Sequence, residues 1–218
     1  MESTDESEPC PQTKQHEQDH LSMKPQIEDL FSKLSATEEL HSISDNMVNV
    51  INKHDELIHF ESNDVNGKDI AMENLEHCEI FVKGIPSSLH IKNLHGCVII
   101  AGPCSRTVEI DECHQCEFAI ACQQLNVHTS DECDFYVHIT AKPIIEDCHH
   151  CRFAPYNVEY QSKQTDIAQS GLVWTIDYWN DVLDCTHLLP GVHSPNWQTI
   201  EEEERKGWSL DVSSHHLF

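Results

Sequence analysis

The sequence predicts an all-β protein built on a right-handed parallel β-helix of about five coils. A cysteine-anchored repeat is the first observation behind this prediction, and alternation of residue type within each copy is the second. The anchors lie 19, 19, 17 and 18 residues apart, and they are Cys78, Cys97, Cys116, Cys133 and Cys151. Two residues after each anchor comes Ile or Phe, which is the period of a strand with one buried face. A strand repeat of about 18 residues fits one coil of a solenoid.

Shorter alternating segments between the anchors predict a second strand in each coil. They are Leu89-His90-Ile91, Val108-Glu109-Ile110, Leu125-Asn126-Val127 and Ile144-Ile145. Stacked coils bring equivalent residues into ladders, and a free cysteine behaves as a small hydrophobic residue that suits a narrow interior. We therefore place the β-helix at residues 74–155.

The segments before the repeat differ in composition. Residues 1–24 are polar and acidic, which predicts a disordered tail. Residues 25–60 carry apolar residues at helical spacing, with Ser35 and Glu38 as a capping box, and predict a short helical segment. This segment either packs on the β-helix or on itself, or it binds a partner. Residues 61–73 are rich in turn formers and predict a linker.

The segment after the repeat, residues 156–218, is rich in aromatic side chains. It holds Trp174, Trp179, Trp197 and Trp208. The last coil of a solenoid exposes unpaired backbone groups and needs a cover. We therefore expect a C-terminal cap packed on the β-helix.

Composition restricts the compartment and the partners. The chain has 218 residues with 13 Lys and Arg against 38 Asp and Glu, a formal charge of −25. Such an acidic chain is expected to bind neither nucleic acid nor an anionic membrane, since both require basic surface. The 11 cysteines are odd in number, and the sequence opens with no apolar secretory region. We therefore expect free thiols and a cytoplasmic protein.

Two cysteine pairs, Cys113-x-x-Cys116 and Cys148-x-x-Cys151, have the spacing of zinc knuckles and lie beside histidines. The second cysteine of each pair nevertheless keeps the register of the unpaired anchors in the other copies. The repeat alone explains these positions, so we expect a structural role, no metal site and no cofactor.

The least repeat-like stretch of the solenoid is residues 121–128. If Leu125 and Val127 point inward, Gln124 and Asn126 point outward. The stretch is then either an ordinary polar strand face or a flat recognition surface.

Six short motifs, taken in order, resemble the tubulin-binding cofactor C family through its cofactor C-like domain, over about residues 66–205. They are Gly102-Pro103-x-Ser105, Ala121-Cys122-Gln123-Gln124-Leu125, Pro143-Ile144-Ile145-Glu146-Asp147, Phe153-Ala154-Pro155-Tyr156, Trp179-Asn180-Asp181-Val182 and Ser194-Pro195-Asn196-Trp197. The family fold is a right-handed β-helix, in agreement with the repeat.

The resemblance implies a part in tubulin folding and an action on GTPases. Members join cofactors D and E with the tubulin dimer and stimulate GTP hydrolysis by β-tubulin. An Arf-like small GTPase is a further partner that the resemblance allows. The family mechanism is an arginine finger supplied in trans, typically worth about 10³–10⁵ in rate. The chain itself is then no enzyme but at most an activator of its partner.

This sequence departs from the family at the finger position, which is Asn126. The amide is short and uncharged, so it cannot replace a guanidinium. The resemblance still assigns Gln123, Gln124 and Glu146, with Asn126, to the partner-binding surface. We therefore expect binding without a catalytic residue.

Two other cations lie near enough in the repeat to be candidates for replacing the arginine. Arg106 lies about one coil earlier, and its parity turns it inward or into the loop. Lys142 lies on the following coil with compatible parity, but it is offset along the strand and gives a point charge. Neither is expected to compensate.

On this resemblance, the favoured interpretation is a cytoskeleton-associated tubulin-folding cofactor C whose role in GTPase activation is doubtful. The alternative is a non-activating scaffold of the same family at the centrosome or basal body. The actin-monomer-binding relative of this fold is less favoured, because the Gln-Gln and Pro-Asn-Trp motifs point away from it. Family members usually carry a longer helical bundle than residues 25–60 provide.

Overall fold

A computed structural model describes residues 46–189 and 191–211. The strands in chain order are β1 (Met47–His54), β2 (Leu57–Phe60), β3 (Asp69–Glu76), β4 (Glu79–Val82), β5 (Ser88–His95), β6 (Val98–Pro103), β7 (Thr107–Asp111), β8 (Glu117–Cys122), β9 (Gln124–His128), β10 (Asp134–Ile139), β11 (Ile144–Glu146), β12 (Cys151–Pro155), β13 (Val158–Glu159), β14 (Leu183–Asp184), β15 (Trp197–Thr199) and β16 (Trp208–Ser209). The helices are α1 (Ser62–Val65) and α2 (Lys163–Ser170), and Glu202–Glu204 form a 3-10 turn. Neither helix is long and apolar enough to cross a membrane within this part of the chain.

Two parallel sheets of seven strands each form a β-helix. The front sheet has the order β1-β3-β5-β7-β9-β11-β14, and the rear sheet has the order β2-β4-β6-β8-β10-β12-β15. Successive coils stack in register, so equivalent residues meet as ladders. The front ladder is Met72, Ile91, Ile110, Val127 and Ile145, and the rear ladder is Ile80, Ile99, Phe118, Phe135 and Phe153. The predicted parallel β-helix is confirmed, and its ladders extend beyond the repeat at both ends.

Each coil turns at two corners whose residues have left-handed backbone. The first corner has Asn52, Asn74, Asn93, Glu112, Thr129 and Asp147, and the second corner has Asp55, His77, Gly96, Gln115, Glu132 and His150. This conformation is uncommon for residues with a Cβ, and Asn and Asp tolerate it best. At the first corner Asn93 Nδ2 donates to Asn74 Oδ1 at 2.8 Å, and Asn74 Nδ2 donates to Asn52 Oδ1 at 3.1 Å. These amide contacts link successive corners and help to offset the backbone strain.

The anchor cysteines directly follow the second corner and point inward. Each thiol donates to the carbonyl two residues earlier, as Cys116 Sγ does to His114 O at 3.2 Å. Cys113 and Cys148 follow the first corner, where their thiols make the same contact at 3.4 and 3.3 Å. Both cysteines of each pair are therefore interior corner residues, which supports the structural reading of the spacing.

The outer side of the rear sheet is apolar and covered. Its outward residues are Phe81, Ile100, Ala119, Tyr136 and Ala154, and the C-terminal residues packed on them are Val158, Tyr160, Ile200 and Leu210, with Trp208 partly buried beside them. On the inner side of the sheet, Trp197 packs edge-on against Phe153 at 5.9 Å between ring centroids. The C-terminal segment thus makes a second small core on the rear sheet, while β14 and β15 continue both sheets.

The predicted helical segment at residues 25–60 is wrong for its described part. Met47–His54 and Leu57–Phe60 are strands that pair with β3 and β4. Val48, Val50 and Ile51 are β-branched, so pairing with the open edge of β3 prevails over spacing that also fits a helix. The predicted linker at 61–73 is likewise wrong, because it holds α1 and the start of β3. Residues 1–45, including the predicted tail, lie outside the described residues.

We predict that the interior thiols are inert in the folded protein. Nine of the cysteines in the described residues are buried, and Cys185 is exposed. Burial raises the pKa of Cys104 to about 11 and also raises the pKa of Cys122, and the thiolate is the reactive form. Thiol-labelling kinetics should therefore show a rapidly reacting thiol that is lost in Cys185→Ser.

Peptide mapping after brief labelling checks this assignment. Cys10 provides an internal comparison, since it lies outside the described residues. Fast labelling of Cys113 or Cys116 in the folded protein would contradict the prediction, and their labelling only in denaturant would agree with it.

Candidate functional site

The outer side of the front sheet is polar around β9, which lies between β7 and β11. Leu125 and Val127 are fully buried, whereas Gln124 and Asn126 are partly exposed on the opposite side of the strand. The predicted alternation is confirmed. We define the polar face as Gln123, Gln124, Asn126 and Glu146.

Hydrogen bonds orient the amides of the polar face. Gln124 Nε2 donates to Asn126 Oδ1 at 3.1 Å and lies 3.3 Å from Lys142 O on the next coil. Gln123 is exposed at the bend before β9. Its N–H donates to Arg106 O at 2.9 Å, and its carbonyl accepts from Ala141 N at 3.0 Å. The bend is thereby fixed between two neighbouring coils.

Glu146 lies on β11, the strand next to β9. In the register of these two strands, Ile144 is beside Asn126, and Glu146, two residues further on, is beside His128. His128 Nδ1 is 3.2 Å from Glu146 Oε2. The structure thus brings Gln124, Asn126 and Glu146 onto adjacent strands of one sheet, with Gln123 at its edge.

The strands that precede β9 in the front sheet, β5 and β7, carry charged pairs that were not predicted from the sequence. Glu109 is beside Asn126 in the register, and His90 Nδ1 is 3.0 Å from Glu109 Oε2. Lys92 Nζ is 2.8 Å from Asp111 Oδ2. The hydrogen bond and charge of Asp111 raise the pKa of Lys92. These charged residues alternate with buried ones along each strand and hold equivalent positions in successive coils. These two features of the sequence are the signal that could have identified the pairs.

These side chains border a shallow depression with a volume of ≈ 640 Å³. Its lining residues include Glu73, His90, Lys92, Asp111 and Asn126. Carboxylates outnumber lysines along this sheet, so its potential favours basic groups on a partner.

The arginines are held away from Asn126. Arg106 is exposed in the bend before β7, where its guanidinium contacts Asp69 Oδ1 at 3.2 Å and the Ser87 hydroxyl. Of the two orientations expected for Arg106, inward or into the loop, the structure shows the second. Arg152 makes a bidentate contact with Asp134, with its Nε 2.7 Å from Oδ1 and its Nη2 2.6 Å from Oδ2.

Two further cations are also engaged. Arg205 donates to Ile200 O at 3.0 Å and lies over the Trp179 ring. Lys142 lies beside Gln124, but its Nζ is 2.8 Å from Asp181 Oδ2. In the described part of the chain, therefore, each arginine and this lysine already has a partner.

The Ser-Pro-Asn-Trp motif has a structural role at the end of the front sheet. Ser194 Oγ donates to Asp184 Oδ2 at 2.5 Å, and Asn196 Nδ2 donates to the same oxygen at 2.7 Å. Thr186 N donates to Asp184 Oδ1 at 2.8 Å. Burial works to raise the pKa of Asp184, but the hydrogen bonds from Ser194 and Asn196 prevail and lower it. The motif therefore fastens the C-terminal segment to β14.

Sequence comparison agrees with the fold and the motifs. The family model for tubulin binding cofactor C matches residues 67–185. The chain belongs to the tubulin binding cofactor C family. The tubulin-specific chaperone C of Bos taurus is 35% identical over 155 residues, which cover 71% of this chain and 45% of that protein. The tubulin-folding cofactor C of Arabidopsis thaliana is 32% identical over 156 residues, covering 71% and 44%.

A solved structure shows the same fold. It is the tubulin binding cofactor C from Leishmania major, which matches with a TM-score of 0.50 and 22% identity, covering 58% of this chain and 85% of that one. The alignments with the bovine and Arabidopsis proteins cover about half the length of these relatives.

We predict that Asp184 contributes strongly to stability. Asp184→Ala removes an acceptor of several donors and leaves the Ser194 and Asn196 groups without it, so the free energy of unfolding should fall by about 2–3 kcal/mol. Urea unfolding followed by circular dichroism measures this. Asp181→Ala breaks an exposed pair with Lys142 and should cost less than about 1 kcal/mol. Equal losses in the two variants would contradict the assignment.

The lowered pKa of Asp184 also predicts a pH dependence. A carboxyl whose folded pKa lies below its unfolded value of about 3.9 stabilises the fold above that pH. This contribution is lost as the pH falls through the folded pKa. The difference in unfolding free energy between wild type and Asp184→Ala should therefore be constant near neutrality and shrink below about pH 4. A difference that grows on acidification would contradict the sign.

Proposed function

We propose that this chain is a tubulin-folding cofactor C. It binds the assembly of the tubulin dimer with cofactors D and E through the polar face, and it supplies no arginine to GTP hydrolysis. The observation that carries the second statement is Asn126, whose amide occupies the family finger position and is hydrogen-bonded within the sheet.

The binding half of the proposal is supported by family membership and by the rigidity of the platform. The bovine and Arabidopsis relatives are named for tubulin chaperoning and folding. Gln124, Asn126 and Glu146 project from strands that are paired on both sides. Side chains on such a scaffold lose little conformational entropy on binding, which favours a stable interface.

The proposal that this chain supplies no arginine finger follows from the charge and position of the side chains around Asn126. An arginine finger acts by placing a guanidinium against developing phosphoryl charge, and Asn126 has no charge to place. Arg106 would have to leave Asp69 and Ser87, and Lys142 would have to leave Asp181. The carboxylates of the front sheet also oppose the close approach of phosphate.

A second function is favoured by the same residue. A family member without the finger can act as a non-activating scaffold at the centrosome or basal body, where only binding is needed. A tubulin partner in the cytoplasm and a centriolar partner are distinguished by pull-down, and an Arf-like small GTPase is tested in the same way.

The decisive experiment measures GTP hydrolysis by tubulin in the presence of cofactors D and E. We expect wild type to leave the rate at its value without this chain, because Asn126 is uncharged and the nearby Arg106 and Lys142 are paired with Asp69 and Asp181. Asn126→Arg should raise the rate by at least about tenfold, since a full finger is worth about 10³–10⁵. Asn126→Gln is the matched control, because it adds length without charge, and it should remain inactive.

Binding must be measured beside the rate. All three proteins should be retained by the tubulin–cofactor assembly in pull-downs, whereas Glu146→Lys should weaken retention by reversing a charge on the polar face. Strong stimulation by wild type would sink the statement that the finger is missing. Absence of any binding to the assembly would reject the tubulin role and leave the scaffold.

A further inference from the structure

The second corner of the first two coils gathers imidazoles and a carboxylate that the tubulin proposal does not use. They are His54, at the end of β1, and Asp55 and His77, which hold the same corner position on successive coils. All three are at least half exposed. We propose that His54, Asp55 and His77 form a binding site for a divalent transition-metal ion of the Zn²⁺ class.

The ligand atoms already converge. His54 Nδ1 is 2.7 Å from Asp55 Oδ2, and His77 Nδ1 is 3.8 Å from Asp55 Oδ1. A tetrahedral ion with bonds of about 2.0–2.1 Å holds its ligand atoms about 3.3 Å apart. The two separations bracket this value, so small side-chain rotations suffice to coordinate an ion. Water completes the coordination, because the site faces solvent.

The surroundings orient the ligands. His54 Nε2 is 3.3 Å from Glu76 Oε2. Metal-binding histidines commonly donate their second ring nitrogen to a carboxylate, which fixes the tautomer. Glu76 therefore positions His54 with its Nδ1 directed at Asp55.

Gly96 leaves space for His77. It is the next residue along the second corner, and a Cβ at this position would lie 2.7 Å from His77 Cδ2 and 3.2 Å from its Nε2. The imidazole thus lies over a residue without a side chain, with Nδ1 on the side of Asp55. The backbones are fixed as well, since Asp55 N donates to Glu76 O at 3.0 Å and His77 N donates to His95 O at 2.9 Å.

The ligand set decides the class of ion. Two imidazoles with one carboxylate suit Zn²⁺, Ni²⁺ and Cu²⁺, whereas Mg²⁺ and Ca²⁺ prefer oxygen ligands. This difference matters because a chain with a formal charge of −25 attracts every divalent cation non-specifically. Imidazole coordination is therefore recognised by selectivity for Zn²⁺ over Mg²⁺.

A neighbouring trio provides the sharpest control. Glu76, His77 and His95 also place ligand atoms near one another, but Glu76 is directed at His54. His95→Gln should therefore leave Zn²⁺ affinity unchanged, whereas His54→Gln and His77→Gln should each weaken it at least about tenfold. Gln is tolerated at the corner, since Gln115 holds the equivalent position with φ 53°.

The test is calorimetric titration of the full, reduced chain with Zn²⁺ and with Mg²⁺. The first 45 residues contain Cys10, His16, His20 and His41, so every variant keeps them as a constant background. Circular dichroism confirms folding. We expect a site of one Zn²⁺ per chain that Mg²⁺ does not occupy, and a Zn²⁺-dependent rise in Tm for wild type that is lost in His77→Gln.

Three results would overturn the proposal. They are unchanged Zn²⁺ affinity in His77→Gln, a loss in His95→Gln equal to that in His54→Gln, and equal affinity for Mg²⁺ and Zn²⁺. The last result would mean that the cation is attracted only by the net charge.

Discussion

In-register stacking of parallel coils is the constraint on which this structure depends. Each strand hydrogen-bonds to its equivalents above and below, so every coil must repeat the same two left-handed corners. The interior beside a corner is narrow, and the thiol of a residue such as Cys116 fills it while donating to the corner carbonyl. A coil with a large or charged residue at that place would break both the ladder and the closure. The cysteines are therefore a consequence of geometry, and we expect the same burial to suppress their reactivity.

The two sheets differ because, within residues 46–189 and 191–211, the C-terminal segment covers the rear sheet and leaves the front sheet open. Apolar residues such as Ile100 and Tyr136 point outward from the rear sheet and pack beneath the C-terminal segment. The front sheet instead presents Gln124, Asn126 and Glu146. A rigid sheet with hydrogen-bonded side chains can retain a binding surface after the residue that performs the chemistry has been replaced. Under the proposed function, binding and GTPase activation are therefore separable in this fold, and Asn126 is the residue that we expect to separate them.

Local periodicity allowed the repeat to be predicted, since Ile80, Ile99 and Phe118 recur at fixed distances from an anchor. The same reasoning placed Leu125 inward and Asn126 outward. It failed where no anchor marks a coil. The spacing of Met47, Val50 and Ile51 fits a helix as well as a strand, and only the unpaired edge of β3 decides between them. The orientation of Arg106 and the cover on Tyr136 depend on contacts between distant residues, which a period cannot reveal. The proximity of His54, Asp55 and His77 likewise became visible only from the way in which the corners of successive coils stack.

We propose that a partner docks on the front sheet around Asn126, and photo-crosslinking can locate this contact. A benzophenone amino acid is placed at position 126 and, as the control, at exposed position 203 in the 3-10 turn. Each protein is irradiated with the tubulin–cofactor assembly, and the products are identified by mass spectrometry. We expect a crosslink to tubulin or to a cofactor from position 126 and none from position 203. Crosslinks from position 203 alone, or equally from both positions, would contradict it.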